Sequence, residues 1–85
     1  MVRHLLRRGR NAVLLDLSME IQFTTRIFKE GRTFVVHAPE LDVSSCAGSQ
    51  ERAIRNLKQA VRLFLEEARR MGTLEQILRM ANKKS

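Results

Sequence analysis

Few side chains in this 85-residue chain could do chemistry, and they are thinly spread. His37 and Cys46 fall in neighbouring apolar segments, and a thiol beside an imidazole is the minimum for a cysteine nucleophile. An ordinary strand histidine and a small half-buried thiol account for the same two residues. Glu40 and Asp42 stand two apart across a proline turn. Two-metal nucleases need three or four converging carboxylates, so this pair reads as a charged turn. Two histidines and one cysteine, far apart, match no metal-ligand spacing, and no glycine-rich phosphate loop is present. The expectation is a chain with no catalytic residue, no metal ligand and no cofactor: not an enzyme.

Charge suggests a different activity. Sixteen Lys and Arg against nine Asp and Glu give +7. Residues 1–18 carry four arginines (Arg3, Arg7, Arg8, Arg10) and one aspartate, while the remaining surplus of +4 is scattered over residues 19–85. A scattered surplus is a solvated surface, and the clustered one is the ground for an alternative reading, a small basic nucleic-acid-binding protein. The four phenylalanines all fall at expected core positions, so the stacking platform of single-strand binders is missing. A single cysteine excludes an internal disulfide framework and points to the cytoplasm. No apolar run reaches membrane-spanning length.

The elements that must position these groups follow from periodicity. In residues 49–72, Ile54, Leu57, Val61, Phe64, Leu65 and Ala68 recur at helical steps, widened by Ala53 and Ala60, with charges on the other side. Ser49 is the expected N-cap, Glu51 faces the positive end of the dipole, Arg69 and Arg70 the negative end, and Gly72 stops the helix. Glu51/Arg55, Arg62/Glu66 and Glu66/Arg70 are spaced for ion pairs. Over residues 20–29 the period becomes two: Ile21, Phe23, Thr25 and Ile27 against Gln22, Thr24 and Arg26. A Glu30-Gly31 turn, a second strand over 33–38, Pro39 as its end, and a third short strand over 43–47 complete one apolar sheet face. A compact second helix starts at Thr73, which with Gln76 has capping-box spacing, and 82–85 reads as a solvated tail. Residues 1–18 admit a flexible basic arm, an edge strand over 12–17, or an upstream extension with Met19 as the natural start. A poorly ordered arm with at most a short strand is expected. The fold class is α+β, two layers, a three-stranded antiparallel sheet (four-stranded if the N-terminal segment joins) under one long helix, plus a short C-terminal helix.

From Met19 onward the chain resembles the HicB-like antitoxin family. The resemblance rests on the strand, the Glu30-Gly31 turn, the run Phe34-Val35-Val36-His37-Ala38-Pro39-Glu40-Leu41-Asp42-Val43, and the capped helix with Ser49, Glu51, Ala53, Asn56-Leu57 and Phe64-Leu65-Glu66-Glu67. The ending Met71-Gly72-Thr73-Leu74-Glu75-Gln76-Ile77-Leu78 is also similar. The sequence departs from the pattern in placing Gly48 directly before the cap, and in Arg52, where the first turn is commonly acidic. The resemblance covers about residues 19–80 and implies a HicB-like domain over 19–85, after the basic arm over 1–18, without the DNA-binding module that many members carry after it. It also implies protein contact: a small basic HicA-type mRNA-cleaving toxin as partner, or an orphan member without a toxin, and a homo-oligomer formed through an exposed strand edge. The chain's own positive charge opposes a basic partner.

Overall fold

The computed structural model describes residues 4–84, with side chains from 4 to 81; Arg3 of the basic cluster and Ser85 of the expected tail lie outside them. Four strands, β1 (His4–Asp16), β2 (Met19–Glu30), β3 (Thr33–Ala38) and β4 (Val43–Ala47), precede two helices, α1 (Gln50–Met71) and α2 (Leu74–Lys84). The strands form one antiparallel sheet in the order β1-β2-β3-β4, and α1 covers one face of it, an α+β fold.

The alternation of β2 does what its period requires. Ile21, Phe23, Thr25 and Ile27 are all buried beneath α1, and Val36 and Ala38 of β3 join them. Against this face α1 sets Ala53, Leu57, Val61, Leu65 and Ala68, one residue per turn. Phe34, partly buried, packs on the same cluster. Phe64, expected in this stripe, is 39% exposed. At 3.6 residues per turn it lies on the helix flank, and the neighbouring Leu65 takes the central position.

Both ends of α1 are built from the expected residues. The Ser49 hydroxyl accepts from the Arg52 amide at 3.2 Å. Gly72 stands at φ 80°, and the amides of Gly72 and Thr73 return to the carbonyls of Arg69 and Ala68. The Thr73 hydroxyl donates to the Ala68 carbonyl, so it helps to close α1 as well as preceding α2. Arg70 pairs with Glu67, three residues back, and not with the expected Glu66. The segment expected as a tail is helical through Lys84.

Residues 4–16 depart most from expectation. In place of a poorly ordered arm stands a thirteen-residue strand, paired with β2 from His4↔Lys29 to Asp16↔Met19. Two bulges, at Leu6 and Leu15, keep the register. Val13 and Leu15 are buried and belong to the core. The physical reason is the other edge of β2: β3 and Glu40 take one edge, and the opposite edge is paired along nearly its whole length by β1. Gly9 lies opposite Thr25, where a Cβ would come to 3.3 Å from the threonine hydroxyl. That hydroxyl, on a side chain 1% exposed, accepts a bond from Asn11 at 3.2 Å. The arginines therefore decorate a strand, and do not interrupt one.

Candidate functional site

Pairing register decides which side chains share the sheet face that α1 leaves uncovered. Leu5, Arg8, Arg10, Ala12 and Leu14 of β1 lie across from Phe28, Arg26, Thr24, Gln22 and Glu20 of β2. Arg26 and Phe28 in turn face His37 and Val35 of β3, and these face Ser44 and Cys46 of β4. One row across all four strands thus reads Arg8, Arg26, His37, Ser44, and the adjacent row Leu5, Phe28, Val35, Cys46. Phe28, expected in the core, lies half-buried on this other face, where the alternation of β2 puts it.

The loop after β3 borders the face and is tied to β2 through a carboxylate. The Leu41 amide bonds the Ala38 carbonyl at 3.3 Å, a tight turn made by Pro39. The turn sends the Glu40 carboxylate back to β2. There it accepts from the Thr24 amide at 2.9 and 3.1 Å and from the Thr24 hydroxyl. Pro39 has ended β3, so Thr24 has no strand neighbour on that side, and Glu40 supplies the missing acceptor. Burial pushes the Glu40 pKa up. The Thr24 hydroxyl and amide, with its own backbone amide and the Arg10 charge, outweigh burial and hold it below the ordinary value.

Asp42 adopts φ 54°, a left-handed conformation that aspartate tolerates better than most residues. Its carboxylate lies 3.1 Å from His37 Nε2. Glu40 and Asp42 therefore bind different partners and do not converge. His37 is engaged by Asp42, and Cys46 lies diagonally across from it, level with Val35. Cys46 is a free, exposed thiol. Among the described residues, no group of three or more His, Cys, Asp or Glu is placed to hold a metal. No described helix is long and apolar enough to cross a membrane.

Comparison with protein families, curated proteins and solved structures gave no match. Two surfaces among the described residues are candidates for contact. One is the uncovered sheet face with its arginines. The other is a flank of α1 that exposes Leu63 (59% exposed), Phe64 and, two turns further on, Met71 (66% exposed). Near the hairpin tip, Asp16 accepts from the Ser18 amide and hydroxyl, both at 2.8 Å, and from Arg69 at 2.7 Å. The Ser18 amide is the main cause that lowers the Asp16 pKa, followed by the Ser18 hydroxyl and Arg69. Sequence reasoning missed both surfaces. Alternation alone could have placed Arg8, Arg10 and Arg26 together, had 4–16 been read as a strand.

Proposed function

We propose that this chain is a HicB-like antitoxin domain, acting in the cytoplasm by protein contact and carrying out no reaction, with a small mRNA-cleaving toxin of the HicA type as its partner. The order hairpin, Pro39-Glu40-Leu41 loop, short strand and capped helix supports that reading, because each piece has a structural role. The loop clasps β2 through Glu40, and Ser49 starts the helix. The observation that carries it is the apolar flank of α1. Three large apolar side chains exposed along one flank are more than solubility favours, and such patches mark interfaces. Glu67 on this flank is paired with Arg70, so contact there rests on the apolar side chains, while Arg8, Arg10 and Arg26 on the sheet would repel a basic toxin. Self-association, as in an orphan member, would use the unpaired edges of β1 and β4.

The test is co-expression with the product of an adjacent small gene, followed by affinity capture and growth rescue. Capture and rescue are expected from the wild type, and Leu63→Glu and Phe64→Glu should abolish both while unfolding cooperatively near the wild-type temperature. Absence of such a gene, together with failure to rescue cells from any HicA-type toxin, ends the antitoxin reading.

A further inference from the structure

The uncovered face of the sheet carries a charge arrangement that the fold itself does not favour. Arg8 and Arg26 are directly opposed in neighbouring strands, where like charges are destabilising. Arg10 stands two residues further along β1 on the same face, about 7 Å away. Arg8 and Arg26 are exposed, and among the described residues neither has an ion-pair partner. The acids that border them are engaged elsewhere: Glu40 by Thr24, Asp42 by His37, and Glu20 by Gln22. Arg10 donates to the Gln22 amide oxygen at 3.3 Å and lies near enough to Glu40 for its charge to lower that carboxyl's pKa. The opposed pair Arg8 and Arg26, with Arg10 beside it, on a face that also carries Ser44 and Ala12, is complementary to a polyanion.

We infer that this face binds single-stranded nucleic acid through its phosphates, with Arg8, Arg10 and Arg26 as the contacting groups. A single strand fits better than a duplex because Phe28 and His37 lie beside Arg26 on this face, and only unpaired bases can stack on such rings. On such a sheet face the arginines hold the phosphates, and the Phe28 and His37 rings, which register places on the same face, are where bases can stack. Readout is of the backbone, so binding is indifferent to sequence and sensitive to salt. The inference does not depend on the antitoxin reading, which places its contact on α1.

Three phosphate contacts at about −0.7 each give a slope of about −2 in log K against log salt. Affinity for a short fluorescent oligouridine should therefore fall about 20-fold between about 50 and 200 mM salt. The double variant Arg8→Gln/Arg26→Gln should bind at least about tenfold more weakly at the lower salt, with a slope of about −0.7. Its thermal midpoint should equal or exceed the wild-type value, since a like-charge pair has been removed. Arg26→Gln alone, which leaves β1 untouched, should reduce the slope by about 0.7. Arg55→Gln/Arg62→Gln removes the same charge from α1 and should bind as wild type does. No binding by the wild type at low salt overturns the inference. So does an equal loss in both double variants, or anionic lipid vesicles binding with the same dependence on Arg8 and Arg26.

Discussion

Glu40→Gln removes one charge and no volume, and it isolates the clasp between the proline loop and β2. The carboxylate takes the Thr24 amide on both oxygens and the Thr24 hydroxyl on one. Glutamine keeps one acceptor oxygen and turns its NH₂ toward the other donor. The variant thus loses one charge-assisted bond, worth about 1.5–3 kcal/mol, and partial exposure puts the cost at the lower end, about 1.5 kcal/mol. For a domain of this size that is about 6–12 °C in thermal midpoint. The pH dependence follows from the sign of the shift. The native pKa of Glu40 lies below the ordinary 4.5, so its contribution is fully present above 4.5 and is lost as pH falls through the lowered native value. Urea melts of wild type and variant should differ by a constant amount from neutral pH down to about 5, and the gap should close below that, with equal m-values. A gap that persists unchanged in acid, or no gap at neutral pH, refutes the clasp.

Deleting residues 1–18 should cost more than an arm would. It strips Val13 and Leu15 from the core and bares Ile21 and Phe23, so a loss of more than about 3 kcal/mol, or no cooperative transition by circular dichroism, is expected. Leu57→Ala, at a position with no solvent exposure, should destabilise by about 2–5 kcal/mol in denaturant titration. Gly72→Ala forces a side chain into φ 80° and should cost about 1–2 kcal/mol, read as a lower urea midpoint. By NMR titration Asp16 should ionise below its ordinary 3.8, and Arg69→Gln should restore only part of the difference, because the Ser18 amide and hydroxyl are the larger causes.

The residues that told their structure in sequence are those whose partners are local. The cap at Ser49, the stop at Gly72, the buried row of α1 and the alternation of β2 each depend on neighbours within a few positions, and each stands where the pattern put it, save that Phe64 lies on the flank of α1. The turn is Gly31-Arg32, between the paired Glu30 and Thr33, one place on from the expected Glu30-Gly31. Helix propensity, pleating and turn geometry are properties of short segments, so their signal survives without the fold.

What only the tertiary structure decided is what distant segments do to one another. Residues 4–16 lack a clean period, because Gly9, the arginines at 7, 8 and 10 and two bulges disguise the alternation; the edge of β2 that faces away from β3 makes them a strand. Glu40 and Thr24 meet because Pro39 ends β3 two residues short of where β2 still needs an acceptor. Arg8 and Arg26 face each other only through the register of two strands. The sequence by itself determined the elements from β2 to α1 and the face each buries. Pairing register, a long-range property, determined which charges and apolar groups share the faces left open.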